Sequence, residues 1–247
     1  MIVIYFDFMN SLQIKKELQY IIADYQEFIK SIDDKAKKKA SERAYGGILR
    51  SEKGTFVEKS CKKLIELSWL ALGGEKEQIS FEKQIVKVPL NKSYLNNIAN
   101  EQVRNWIKEN IKDFYYNLKV DVHTYINDKF VLAVECKTYT ENAMLKRILV
   151  DFSLLQKTSP ELSCVLFQLE SQLGGDYAQI HQEITYGSYS THTLLSYFDV
   201  NLHIITLLEG ERKVDEPIHK KEFFKELKES HLEKAIQVFK NILQSKL

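Results

Sequence analysis

The sequence is poor in the residues that divide a chain into separate units. Its 247 residues include only nine glycines and three prolines, and there is no obvious linker. No internal repeat or low-complexity tract occurs either. We therefore predict one domain over residues 1–247. Its core should cover about 52–210, with a strand and helix at 1–45 and a C-terminal helix at 219–246 as additions.

Cysteines and long apolar runs are also scarce. Cys61, Cys136 and Cys164 lack the Cys-x-x-Cys or Cys/His spacing of a metal site, and an odd, sparse set is typical of a reduced cytosolic protein. No apolar run is long enough to span a membrane. The N-terminal segment MIVIYFDFMN carries Asp7 and lacks the basic region and cleavage site of a signal peptide. We expect a cytoplasmic protein without a membrane partner, and we interpret its N-terminus as a buried strand.

Neither sign of charge predominates, since 35 lysines and arginines balance 34 aspartates and glutamates for a net charge of +1. Overall charge therefore does not indicate a nucleic-acid-binding protein, and any basic groove has to be a local patch. Hydrophobic residues make up 44% of the chain, which is too much for a disordered protein.

Helical and strand patterns alternate along the chain. Helical spacing predicts a long helix after the first strand, ending in a solvent-facing segment at 33–47 with a glycine break. A second helix should cover about 51–72 and stop at Gly73 and Gly74. A strand at 78–90, helices at about 94–114 and 141–156, strands at 164–170 and 202–209 and a hairpin near residue 128 complete the prediction. This order indicates an α/β fold in which helices flank a mixed central β-sheet.

The hairpin carries three charges at one end. It has the sequence VDVHTYINDKFVLAVECKTYTE, and its apolar second strand ends in Glu135, Cys136 and Lys137. Because side chains alternate along a strand, Glu135 and Lys137 share one face and Cys136 points to the other. A two-residue turn would place Asp121 on the wrong face, whereas a three-residue turn at 127–129 would set it opposite Glu135. We therefore predict the three-residue turn.

Two adjacent carboxylates repel each other unless a positive charge lies between them. Mg²⁺ prefers carboxylate oxygens and water, and Lys137 could assist the deprotonation of a metal-bound water. Such a site suits phosphodiester hydrolysis. The alternative is a set of solvated charges at the end of a surface hairpin, since Glu-x-Lys patterns are common.

Asp121 followed by Glu135-Cys136-Lys137 at the end of an apolar strand resembles the PD-(D/E)XK nuclease signature. The predicted element order from residue 55 to residue 170 is also similar to the core of that superfamily, although Val120 replaces its usual proline. The resemblance implies that Asp121, Glu135 and the backbone carbonyl of Cys136 bind the metal. It further implies that Lys137 assists the attacking water and that Glu58, on the preceding helix, reaches the metal through a water molecule. The alternative for Glu58 is a solvated carboxylate paired with Lys62.

The resemblance is strongest to a type II restriction endonuclease, a Mg²⁺-dependent enzyme that cleaves double-stranded DNA at a specific site and commonly acts as a homodimer. The chain carries no helicase or methyltransferase motif, which favours a stand-alone nuclease. Two alternatives stay open. One is another nuclease of the superfamily, acting in repair, junction resolution or defence; the other is a non-catalytic DNA-binding protein that kept the fold.

Candidate DNA contacts surround the hairpin. Lysine, arginine and helix N-terminal amides bind phosphates, and Arg50, Ser51 and Lys53 precede the predicted helix that carries Glu58. Lys119 flanks the hairpin. Amide side chains such as Gln179 and Gln182, in a polar segment after the strand at 164–170, are suited to reading base edges. An ordinary polar loop is the alternative for that segment.

Overall fold

The computed structural model describes residues 2–39, 42–175 and 187–246, with side chains at 12–32, 51–175 and 187–246. Its helices are α1 (Ile2–Lys39), α2 (Glu42–Ala71), α3 (Glu101–Glu109), α4 (Asn142–Thr158), α5 (Tyr189–Ser196) and α6 (Glu229–Gln244). Its strands are β1 (Ile79–Phe81), β2 (Val86–Pro89), β3 (Tyr115–Leu118), β4 (Val122–Ile126), β5 (Lys129–Glu141), β6 (Ser163–Gln172) and β7 (Leu202–Thr206). Within the described ranges, no helix is long and apolar enough to cross a membrane.

The central sheet has five strands in the order β1-β4-β5-β6-β7. The pairs β1/β4 and β4/β5 are antiparallel, whereas β5/β6 and β6/β7 are parallel. Strands β2 and β3 form a separate antiparallel pair. The prediction of a mixed central sheet flanked by helices is confirmed.

Two apolar layers cover the central sheet. On one face, α1, α2 and α6 pack against Val134, Cys136 and Phe167. On the other face, α4 and the β2–β3 pair pack against Ala133 and Leu166. The fold therefore has a helical layer on both sides of the strand that carries Glu135 and Lys137.

Helix α2 contains the predicted apolar stripe. All six of its members are buried, with at most 5% of any side chain exposed: Phe56, Val57, Cys61, Leu64, Ile65 and Trp69. The helix ends at Ala71, just before the predicted stop at Gly73, whose φ of +87° is easily adopted only by a residue without a Cβ atom.

The N-terminal predictions are wrong. Residues 2–39 form one helix with no preceding strand, and α2 begins at Glu42 and continues through Gly46 and Gly47. Once a helix is nucleated, each added residue gains a hydrogen bond. A glycine inside a helix costs only about 1 kcal/mol relative to alanine. The buried stripe that follows in the same helix can outweigh this cost.

Three other boundaries differ from the predictions. The strand expected at 78–90 is two strands, β1 and β2, in different sheets. The helix expected at 94–114 contains only α3 and two short 3₁₀ turns, with Val103 44% and Trp106 58% exposed instead of buried. Helix α6 begins at Glu229, ten residues later than expected. In each case the predicted range contains more than one element or an irregular segment, so a single periodic pattern was misleading.

Candidate active site

The hairpin β4–β5 aligns Asp121 with Glu135 through a bulge. Its turn has two residues, Asn127 and Asp128, with φ of +46° and +64°, so the prediction of a three-residue turn is wrong. Ile126 pairs with Lys129 and Tyr125 with Phe130, but Thr124 pairs with Leu132.

Val131 is thus an extra residue on β5, and the register beyond it is shifted by one. Val122 consequently pairs with Val134, which brings Asp121 level with Glu135. The bulge therefore produces the register shift that we predicted from a three-residue turn.

Three charged side chains meet at this point. Lys137 Nζ donates to Asp121 Oδ2 at 2.8 Å and also contacts Glu135 Oε2. The same Asp121 oxygen accepts the Cys136 backbone N–H at 2.8 Å. The Glu135 side chain is only 11% exposed and that of Lys137 23%, whereas that of Asp121 is 38% exposed. Asp121 therefore forms the open side of the cluster.

Burial and mutual charge set the protonation of the cluster. Burial, followed by the nearby Asp121 charge, raises the pKa of Glu135 to about 7, although Lys137 acts in the opposite direction. Burial lowers the pKa of Lys137, but the Glu135 and Asp121 carboxylates outweigh it and leave that pKa above its usual value. Lys137 is therefore an ammonium ion at neutral pH, and Glu135 can exchange a proton there.

The donor set suits a hard divalent cation with few protein ligands. Asp121 and Glu135 supply two carboxylates in one place, and Mg²⁺ is typically held by one or two carboxylates and several waters. Across the described ranges there is no group of three or more His, Cys, Asp or Glu residues positioned to hold a metal. The Cys136 thiol is buried against Cys61 of α2, so only its backbone is available to the cluster.

Glu58 lies on α2 and pairs with two lysines. Lys62 and Lys83 each approach Glu58 Oε1 within 2.8 Å. Burial raises the pKa of Glu58, but hydrogen bonds from these two lysines outweigh it and lower that pKa. Lys83 follows β1 at the end of the sheet where β4 begins, so Glu58 is at the same end as Asp121. Its link to the metal stays a prediction.

The prediction that Ser51 and Lys53 precede the helix that carries Glu58 is wrong. Ser51 and Lys53 lie well inside α2, where backbone N–H groups already bond within the helix. Lys53 is half-buried, and burial lowers its pKa while the Glu170 carboxylate raises it. The Arg50 side chain, Gln179 and Gln182 lie outside the described residues.

Lys119 is exposed two residues before Asp121, as a DNA contact would require. Burial lowers the pKa of His123, and Lys119 and then Lys83 lower it further. Lys119 and Lys83 therefore place positive charge near His123, two residues after Asp121.

Sequence reasoning missed a group of side chains further along β5. The Arg212 guanidinium lies 3.8 Å from the centre of the Tyr139 ring and donates to Gln172 Oε1 at 2.5 Å. Tyr139 is two residues beyond Lys137, but Arg212 follows β7 by several residues. The parallel pairing of β5 with β6 and the bridge between Ser171 and Glu211 bring them together, so no local sequence signal could have found this group.

Comparison with known proteins agrees with the geometry. No family model matches the chain. The type II restriction enzyme DdeI of Desulfomicrobium norvegicum (strain DSM 1741 / NCIMB 8310) is 48% identical over 225 residues, covering 90% of this chain and 93% of that enzyme.

A solved structure of the native BbvCI A2B2 tetramer covers 97% of this chain and 92% of its own, at 10% identity and a TM-score of 0.38. A likeness at that level supports no further argument. The match to DdeI confirms the resemblance inferred from Asp121, Glu135 and Lys137: at 48% identity over nine-tenths of its length, the chain belongs to the type II restriction enzymes, endonucleases that cut DNA at specific sequences.

Proposed function

We propose that Asp121, Glu135 and Lys137 form the catalytic centre of this restriction enzyme and that it hydrolyses double-stranded DNA with Mg²⁺. The observation that carries the proposal is the convergence of two carboxylates on one ammonium group, with Lys137 Nζ 2.8 Å from Asp121. Two carboxylates placed together raise the cost of ionising each other, and such arrangements are typical of functional sites.

Asp121 and Glu135 would hold the Mg²⁺ ion, together with the backbone carbonyl of Cys136. When bound, Mg²⁺ supplies an acidified water and neutralises charge on the phosphate oxygens. Glu135 must lose its proton for this role, which the pKa of about 7 allows near neutral pH. Lys137 would hold the attacking water in line with the phosphorus atom and stabilise the charge that develops there. Glu58 would act through a water molecule.

The proposal extends to the assembly and the substrate. A single centre cleaves one strand in one event, so two copies related by a two-fold axis would cleave both strands of a symmetric site. We therefore propose a homodimer acting on duplex DNA. Lys119, Ser51, Lys53 and Arg50 are the proposed phosphate contacts, and Gln179 and Gln182 the proposed base contacts.

The test is cleavage of phage DNA by the purified protein and by three variants, Asp121→Asn, Glu135→Gln and Lys137→Ala. We expect discrete fragments with Mg²⁺ for the native chain and at least a 10²-fold lower rate for each variant, since each removes a charge used in the transition state. Excess EDTA should stop cleavage.

Lys146→Ala is the matched control, because Lys146 is an exposed lysine on the neighbouring helix α4. It should cleave at the native rate, and circular dichroism should show that all variants fold. Full activity of Lys137→Ala would refute the proposed centre. Undiminished cleavage in EDTA would refute the metal.

A further inference from the structure

The segment between Lys83 and Lys119 is strongly basic, although the whole chain is nearly neutral. It has seven lysines and arginines against three aspartates and glutamates, a net charge of +4. Because the complete chain carries +1, everything outside this segment sums to −3. Positive charge is therefore concentrated in the segment that forms β2, α3 and β3.

The two-stranded sheet of this segment has an apolar inner face and a polar outer one. Val88 and Leu118 are buried in the layer that includes α4. Lys87 and Tyr115 point outward, with Lys87 Nζ 4.3 Å from the centre of the Tyr115 ring. The inner face holds the sheet in place, so the outer face is presented rigidly to solvent.

Aromatic side chains are exposed on the same unit. Trp106 of α3 is 58% exposed and packs edge-on against Phe114, the residue before β3. The other exposed aromatics are Tyr94, Tyr115 and Tyr116, at 51%, 42% and 60%. Tyr115 and Tyr116 are consecutive residues of β3 and extend to opposite sides of the strand pair, so exposed aromatic side chains are present on both sides.

Four lysines of the same unit are exposed to solvent and, in the described part of the chain, have no carboxylate partner. Within the described residues, no carboxylate forms an ion pair with Lys87, Lys92, Lys108 or Lys112. Together, these four lysines and the four exposed aromatic residues form what we call the basic-aromatic surface.

The β3 end of the basic-aromatic surface lies near the catalytic cluster. Strand β3 ends at Leu118, three residues before Asp121. Three extended residues span about 10 Å. One turn of duplex DNA is about 34 Å long. A duplex with its scissile phosphate at Asp121 can therefore reach the β3 end of this surface within half a turn.

We propose that the basic-aromatic surface binds the DNA backbone that flanks the cleavage site, independently of base sequence. Charge complementarity favours a polyanion over a second copy of this chain, because two copies of a surface with excess positive charge repel each other. The lysines would neutralise phosphates, and the tyrosines and Trp106 would contact sugars and phosphate oxygens. The inference deepens the proposed function by adding a second contact region outside the catalytic centre.

Trp106 is a built-in reporter for this surface. The chain has only two tryptophans, and Trp69 is 2% exposed. Acrylamide quenching of the native protein should therefore report mainly on Trp106. We expect a 30-base-pair duplex, added in EDTA so that it is not cut, to reduce quenching at least two-fold. Trp106→Phe should remove that response. Unchanged quenching at saturating DNA would overturn the proposal.

A charge test uses the triple variant Lys87→Ala, Lys108→Ala, Lys112→Ala. The control triple variant is Lys15→Ala, Lys16→Ala, Lys30→Ala, which removes the same charge from exposed positions on α1. Each phosphate contact contributes about 0.9 to the slope of log K against log salt concentration. We expect the first variant to lose about 2 to 3 units of slope and at least ten-fold affinity for any duplex, and the control to lose much less.

The outcomes separate this surface from the catalytic centre. In Mg²⁺, the surface variant should need at least ten-fold more DNA to reach half-maximal cleavage, whereas a failed catalytic proposal would appear in the Asp121, Glu135 and Lys137 variants. Equal losses in the two triple variants would overturn the inference, since only net charge would then matter. Loss of self-association in sedimentation, with DNA affinity unchanged, would identify a second copy as the occupant and also overturn it.

Discussion

Glu135 shows how one residue can be costly to the fold and useful to the reaction. Its side chain is 11% exposed and lies on the same face of β5 as Lys137. Burial raises its pKa to about 7. That pKa is above the ordinary 4.5, so the folded protein without metal binds the Glu135 proton more tightly than the unfolded chain does. The resulting stabilisation of the fold is complete below pH 4.5 and is lost as the pH rises through 7. Binding a cation at the carboxylate would restore the loss.

We predict that metal affinity depends on pH through Glu135. Below pH 7, a proton must leave the carboxyl before a cation can bind, so the affinity should fall about ten-fold for each pH unit. Above pH 8 it should be constant. Calorimetric titration with Ca²⁺ at several pH values measures both the affinity and the proton released. Glu135→Gln should bind weakly without this pH dependence, and equal affinities at pH 5.5 and pH 8 would contradict the prediction.

At the scale of single elements, α2 and the β4–β5 hairpin decide where the site forms. Helix α2 places Cys61 against Cys136, and Glu58 lies one turn earlier on the same helix. The bulge at Val131 shifts the strand register so that Asp121 meets Lys137. Both features depend on where an element begins or ends, so small changes at those positions should have large effects.

Gly74, just past the end of α2, should not tolerate a side chain. A Cβ atom there would lie 2.1 Å from Cε2 of Trp69, whose ring is 2% exposed and donates to Glu75 O at 3.0 Å. We expect Gly74→Ala to lower the free energy of unfolding by about 1–3 kcal/mol, the usual cost of overpacking. Urea denaturation followed by circular dichroism measures the change.

Gly54 is the matched control, because it lies within α2 and a Cβ atom there meets nothing within 4 Å. Gly54→Ala should raise the free energy of unfolding by about 0.5–1 kcal/mol through the helix preference of alanine. The two alanine variants should therefore differ in sign, and a shared sign would show that the close approach to Trp69 is not limiting.

At the scale of the whole molecule, α6 closes the layer that α1 and α2 form over the sheet. Phe239 of α6 is fully buried and stacks on Phe167 of β6, with ring centroids 6.2 Å apart. Tyr25 of α1 donates to Lys225 O at 2.8 Å, so α1 is bonded to the segment that precedes α6. The sheet that carries the site thus depends on residues far from it in sequence.

Phe239→Ala should therefore destabilise the whole protein. Removing a fully buried phenylalanine costs about 3–5 kcal/mol. The free energy of unfolding of a typical domain is only about 5–15 kcal/mol. We expect a much lower melting temperature in calorimetry, with cleavage at low temperature retained in the fraction that is folded. Glu233→Ala, an exposed position on the same helix, should change the stability by less than about 0.5 kcal/mol. A local loss of α6 with an unchanged main transition would contradict this dependence.

The sequence by itself determined the fold class, the buried stripe of α2 and the shared face of Glu135 and Lys137. Those properties follow from local periodicity, since alternation along a strand and 3.6-residue spacing along a helix do not need the rest of the molecule. The same rules failed where an apolar pattern could belong to either period, as at the N-terminus, and where one pattern covered two elements, as at 78–90 and 94–114.

Only the tertiary structure decided how the three charges meet and what surrounds them. The bulge at Val131 depends on the packing of β5 between two apolar layers, and both Val131 and Leu132 are buried in the same layer. The stacking of Arg212 on Tyr139 joins residues far apart in the chain, and the pairing of β2 with β3 brings Lys87 over the Tyr115 ring. Such contacts form because the burial of apolar faces determines the strand order and the register. Local sequence patterns do not specify either of these.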